Sequence, residues 1–103
     1  MTDYRISDIA LQEIEEIVDY TAANDPDAAE RVRDGIFKGC EQLAARPGLG
    51  HRRPDITSLP LRFRTVMRRY LIAYRTDGPR VEIVRVFGPG RDVAKLLRRP
   101  RRG

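Results

Sequence analysis

One cysteine, one histidine and no tryptophan leave this chain short of the side chains on which most active-site chemistry depends. Cys40 cannot form an internal disulfide, and without a second thiol there is no cluster for zinc. His51 is the one imidazole available as a proton carrier near neutral pH, and it sits in a proline-rich segment. No apolar run approaches the roughly 20 residues that a membrane span needs. The opening residues Met1-Thr2-Asp3-Tyr4-Arg5 lack the charged-then-apolar layout of a secretory signal, so a cytoplasmic location is expected. Neither a metal nor a cofactor is expected. Lysine is also scarce: of 20 basic residues only Lys38 and Lys95 are lysines. The rest are arginines, whose planar fork suits phosphate and carboxylate better than a point charge does.

What is present is strongly polarised. Residues 1–30 hold nine acids against Arg5, a net of −8, whereas residues 31–103 hold nineteen bases and six acids, a net of +13. Such a chain suits a polyanion or an acidic protein as partner, and equally a solvated arginine-rich surface. Its 103 residues suffice for one domain, 1–103, with a modest core.

Hydrophobic spacing sets out the elements. Tyr4-Arg5-Ile6 reads as a short strand at a sheet edge. Ser7 is a good helix N-cap with Asp8 in the first turn. Ala10, Ile14, Ile17, Val18 and Thr21, widened by Leu11, give one stripe of an amphipathic helix over residues 8–23. Asp25-Pro26 restarts the chain as a cap and a first helical residue. Ala29, Val32, Ile36, Cys40 and Leu43 form a second stripe that ends near Ala45 or Arg46, before Pro47-Gly48. Two helices so closely linked form an antiparallel hairpin, with Cys40 in its core. Residues 47–60 read as a loop, with the basic run His51-Arg52-Arg53. The segments 61–65, 70–75 and 81–87 read as a three-stranded antiparallel meander, with a turn at Asp77-Gly78-Pro79. Residues 92–98 form a short C-terminal helix, docked by Leu96 and Leu97, and the basic stretch 98–103 is a mobile tail. The fold class is α+β, a helix hairpin on one face of a small antiparallel sheet.

In that order, five segments carry a likeness to a known superfamily. They are Tyr4-Arg5-Ile6-Ser7, Ala44-Ala45-Arg46-Pro47-Gly48-Leu49-Gly50, Arg69-Tyr70-Leu71-Ile72-Ala73-Tyr74, Val81-Glu82-Ile83-Val84-Arg85-Val86 and Arg91-Asp92. Together they resemble the ParE/RelE toxins of type II toxin–antitoxin systems over nearly the whole chain, and are closer to ParE. The resemblance implies one of two activities. RelE-like members cut messenger RNA on the ribosome with basic residues and a C-terminal tyrosine or histidine. ParE-like members lack that set and poison DNA gyrase. Both are neutralised by a cognate antitoxin, so a hetero-oligomer is expected.

Mapped residue by residue, the nuclease pattern matches at Arg62, Arg64 and Arg91 but meets Leu71 and Leu97 where it needs an arginine and a terminal aromatic. RNA cleavage through the 2′-hydroxyl requires a base and a leaving-group acid, and arginine almost never deprotonates. The expected activity is therefore non-catalytic inhibition of DNA gyrase; the alternative is a ribosome-dependent endoribonuclease using Arg62, Arg64 and Arg91. A small nucleic-acid-binding module is the third reading, supported by the basic tail. The expected target surface comprises Arg85, Arg91, Asp92, Leu96 and Leu97, the alternative for its two arginines being pairing with Glu82 and Asp92. The expected antitoxin surface comprises Phe37, Arg62, Arg64 and Tyr70, although Tyr70 and Tyr74 also read as core or sheet-face aromatics. Where ParE-like chains commonly carry a histidine–glycine step, this chain has Gly88-Pro89-Gly90, which keeps a turn and loses a side chain.

Overall fold

The computed structural model describes residues 4–98; the basic tail beyond Arg98 lies outside the described residues. Strand β1 (Tyr4–Ile6) leads into helices α1 (Asp8–Ala22) and α2 (Pro26–Ala45). A single 3-10 turn (Pro47–Leu49) and a two-residue strand β2 (His51–Arg52) follow. Strands β3 (Arg62–Val66), β4 (Tyr70–Asp77) and β5 (Arg80–Phe87) form the meander, and α3 (Val93–Arg98) ends the described chain.

Both long helices start as their sequences dictate. The Ser7 hydroxyl accepts the Ala10 N–H at 3.0 Å, and the Asp25 carboxylate accepts the Ala28 N–H at 3.1 Å, with Pro26 in the first turn. Each cap satisfies one of the N–H groups that a helix start leaves open. The predicted stripes are the buried faces: Ala10, Ile14 and Val18 on α1, and Ala29, Val32, Ile36, Cys40 and Leu43 on α2. Leu11, expected to widen the first stripe, is 41% exposed and flanks it instead. These stripes pack on Ile72, Tyr74, Ile83 and Val86 of the sheet. Each fully buried Ile or Leu there contributes about 1.5–3 kcal/mol.

The sheet has five strands in the order β1-β5-β4-β3-β2. The meander is antiparallel as expected, and the two edge strands extend it. β1 runs parallel to β5, which makes the sheet mixed, because the helix hairpin carries the chain across one face before the meander begins. The segment 47–60, read as loop throughout, contains β2, which pairs antiparallel with β3. Two residues give no periodicity to read. Between Ala73 and Tyr74 the β4–β5 register slips by one, since Ala73 faces Arg85 and Tyr74 faces Ile83, so Val84 is the extra residue of a bulge.

The opposite sheet face carries a second, smaller core. Leu61, Phe63, Ala73 and Phe87 are buried there beneath Ile56 and the α3 residues Val93, Leu96 and Leu97. Leu96 and Leu97 thus dock α3 on the face away from the helix hairpin.

The connection from α2 into the sheet is tied down by Tyr74. Its hydroxyl accepts the Gly50 N–H at 2.8 Å and donates to the Pro47 carbonyl at 2.6 Å. Arg62 Nη1 donates to the Gly50 carbonyl at 2.8 Å. A Cβ at Gly50 would stand 2.5 Å from the Tyr74 hydroxyl and 2.8 Å from the Phe63 carbonyl oxygen, so only glycine fits. Gly50→Ala is expected to lose about 1–3 kcal/mol through overpacking. Tyr74→Phe is expected to lose about 1–3 kcal/mol by stranding the buried Gly50 N–H. Urea denaturation measures both, and unchanged midpoints would mean that the loop is not held this way.

Candidate functional site

The predicted target surface begins where β5 runs out of partners. β1 covers only residues 81–83 of the outer edge of β5, which leaves the groups beyond Ile83 to be satisfied by something else. The start of α1 supplies it. Ser7 N–H donates to the Ile83 carbonyl at 3.0 Å and Ser7 Oγ donates to the Val84 carbonyl at 2.8 Å. Six residues further on, Glu13 Oε1 accepts the Val86 N–H at 2.8 Å. Its Oε2 accepts Arg85 Nε and Nη2 at 3.1 and 2.8 Å. Arg85 also lies over the Phe87 ring, 4.9 Å from its centroid. Both charged side chains are largely covered, 14% exposed for Glu13 and 20% for Arg85. The bulge at Val84 aims Arg85 at this edge.

Arg85 is therefore paired, with Glu13; Glu82 pairs with Arg75 at 2.9 Å instead. Asp92 is the N-cap of α3, its carboxylate accepting the Lys95 N–H at 3.0 Å. Arg91 is exposed and has no ion pair among the described residues. Leu96 and Leu97 are half-buried on the second core. Beside them opens a groove of about 690 Å³ between α3, the 59–61 segment and the start of α1, lined by Ile9, Leu59, Leu61, Val84, Leu96 and Leu97. Ile9 and Leu59 are 55% and 47% exposed there. The target set thus gathers around one end of the sheet, with Arg85 and Asp92 already engaged in holding the fold.

The predicted antitoxin residues share the helix-hairpin side of the sheet but differ in the surface they offer. Tyr70 is 5% exposed and belongs to the main core, because β4 turns it towards the helix hairpin, so it offers a partner almost no surface. Phe37 is half-buried against the same core. Arg62 holds Gly50, and Arg64 is exposed beside α2. Four of the five mapped nuclease positions are split by the sheet. Arg62 and Arg64 lie on the helix-hairpin side of β3, the one bonded to the loop after α2 and the other lining a groove with Lys38 and Gln42. Leu71 and Leu97 lie in the opposite layer.

His51 is exposed, on β2 rather than in a loop, opposite Phe63. Cys40 is fully buried, and burial, aided by the neighbouring Glu41 charge, pushes its thiol up to about 12. Among the described residues no three His, Cys, Asp or Glu side chains cluster as metal ligands would, and no helix is long and apolar enough to cross a membrane.

Sequence reasoning missed Glu13. Its spacing carried the signal, since it lies three residues after buried Ala10 and four before Ile17, at the rim of the buried stripe rather than beyond it.

The family described as the ParE toxin of the type II toxin–antitoxin system parDE matches residues 4–93. Among solved structures, a chain of the chromosomal ParDE toxin–antitoxin system from P. aeruginosa is similar, with a TM-score of 0.73 at 20% identity. The match covers 86% of this chain and 97% of that one. No curated protein matches.

Glu13→Ala should cost about 2–4 kcal/mol, because it leaves the Val86 N–H and the Arg85 guanidinium without their acceptor. Glu13→Gln, which keeps an acceptor for Val86, should cost clearly less. Equal losses in urea melts would show that charge plays no part. Cys40 gives a pH dependence: the folded chain keeps the thiol proton while the unfolded chain releases it above its ordinary value near 9. This contribution is constant below about pH 9 and is lost as pH rises towards about 12, at up to about 1.4 kcal/mol per pH unit. Cys40→Ala should lack that slope, and a parallel alkaline profile for the two chains would contradict it.

Proposed function

The chain belongs to the ParE toxin family of type II toxin–antitoxin systems, and from that premise we propose that it is a non-catalytic inhibitor of DNA gyrase, neutralised in the cytoplasm by a cognate antitoxin. The observation that carries the choice of activity is the division of four of the five mapped nuclease positions. Arg62 and Arg64 stand on one side of the sheet, while Leu71 and Leu97 stand on the other as core-facing leucines. Cleavage at one scissile phosphate needs acid, base and positive charge within hydrogen-bond reach of each other. A surface that acts by binding has no such requirement. The target contact is assigned to α3 and the preceding turn, where Arg91 is exposed and Gly90 at φ +80° keeps the turn tight. Arg85 and Asp92 act there as positioning residues.

The antitoxin reading draws on a different feature from the set of Phe37, Arg62, Arg64 and Tyr70, of which Tyr70 is buried. The groove beside α3 offers apolar side chains with the Arg75–Glu82 and Arg85–Glu13 pairs at its margin. An amphipathic segment lays its apolar side into such a groove and meets charge at the rim. Toxin and antitoxin then form a hetero-oligomer.

Induction without antitoxin in a bacterial host should stop DNA synthesis before protein synthesis, and the purified chain should trap cleaved DNA on gyrase. Early loss of protein synthesis with cut messenger RNA would replace this reading by the nuclease. Arg91→Glu should abolish trapping without lowering the melting temperature. It is a cleaner probe than deletion of α3, which would uncover Phe63 and Phe87.

A further inference from the structure

Strand β3 is followed by a line of cations that the fold does not neutralise. Arg52 on β2 stands directly opposite Arg62 on β3. Like charges so placed in an antiparallel pair repel and destabilise it. Arg62 has a neutral acceptor, the Gly50 carbonyl, and no carboxylate. Arg64 comes next on the same side of the strand. It opens on a groove of about 340 Å³ between β3 and α2, where Lys38 and Gln42 also line the wall and no carboxylate does.

The far end of the strand is strained. Met67 and Arg68 take φ values of 54° and 59°, and Arg69 N–H closes the turn on the Val66 carbonyl at 3.1 Å. Turns of this kind ordinarily use Asn-Gly, because a side chain in the left-handed region is crowded. Here the strain holds two exposed arginines, Arg68 and Arg69, at the tip. Among the described residues, none of Lys38, Arg52, Arg64, Arg68 and Arg69 has an ion pair. From Arg62 to Val66 the strand runs about 13 Å, and the turn that carries Arg68 extends the track beyond it.

We infer that this track binds the phosphate backbone of duplex DNA without reading its sequence. A protein partner would require an apolar centre to its interface. The one exposed large apolar side chain here is Met67, whereas Ile9 and Leu59 lie at the groove beside α3. Single strands are held by stacking on exposed aromatics. Among the described residues the strongly exposed aromatic is Tyr20, which lies on α1. What remains is positive charge on a stiff strand, arranged at some cost to the fold, and that suits a regular polyanion. The inference goes beyond the gyrase reading and stands without it.

The test is anisotropy of a labelled duplex of about 30 base pairs with the full chain, from about 50 to about 300 mM NaCl. Binding should weaken steeply with salt, and each lost cation should flatten the log–log slope by about 0.9. Arg64→Gln/Arg68→Gly should weaken binding about tenfold or more and flatten the slope by about 2. Arg68→Gly alone should melt no lower than the parent, because glycine accepts φ 59° without strain. Arg52→Glu should raise the melting temperature, by replacing a repulsion with an attraction across from Arg62, and yet weaken DNA binding. Unchanged affinity in these variants would overturn the inference. So would loss of binding confined to a chain with Arg99, Arg101 and Arg102 changed to Gln. Tighter binding of a labelled acidic peptide or a single-stranded RNA than of the duplex would overturn it in favour of that partner. None of these readouts uses gyrase, so failure here leaves the gyrase assay to stand or fall by itself.

Discussion

The architecture hangs on how α1 completes β5. β1 is only three residues long and leaves half of the outer edge of β5 without a strand. Ser7 and Glu13 take over where it stops, bonding the Ile83 and Val84 carbonyls, the Val86 N–H and the Arg85 guanidinium. One cap residue and one carboxylate do the work of several strand residues. They fix the angle at which α1 leaves the sheet, and α2 then follows from the short Asn24-Asp25 link. The apolar stripes provide most of the free energy, but stripes alone allow a helix to slide or roll. Directional bonds from α1 to β5 remove that freedom.

The same sheet keeps two chemistries apart. One face receives the helix hairpin and, at its β3 margin, the arginines. The other receives α3 and the apolar groove beside it. Because side chains alternate across a strand, neighbours in sequence serve opposite surfaces: Arg62 and Arg64 lie to one side while Phe63 is buried on the other. A superfamily pattern mapped along the chain therefore scatters across both surfaces of the molecule.

Much of the fold was legible in the sequence because it rests on periodic burial. Both helix stripes, the caps Ser7 and Asp25, the three-stranded meander and the docking leucines Leu96 and Leu97 all follow from spacing. Elements that rest on single contacts were not legible. β2 exists because His51 and Arg52 find the edge of β3, and two residues carry no period. Tyr74 was readable as a core aromatic, whereas its hydroxyl bonds to Gly50 and Pro47 depend on a loop path that no local pattern encodes. The candidate site was less legible than the fold. Arg85 reads from the sequence as a target residue or a partner of Glu82, whereas the carboxylate it pairs with, Glu13, lies 72 positions away on another element. Tyr70 was named for an outer surface and is core, since which way a short strand turns its alternate residues is settled by the helices packed on it.

The pairing of β1 with β5 has a consequence for synthesis. The helix hairpin emerges from a ribosome before the strands on which it packs. Its anchor on the sheet arrives only when residues 83–86 emerge, near the end of the described chain. Contacts of such long sequence separation form late and slow folding. A translation product that stops within β4 carries capped helices with nothing to rest on, and its apolar stripes stay in water. The bonds that fix α1 on the sheet are thus assembled last, and a chain interrupted before β5 lacks all of them.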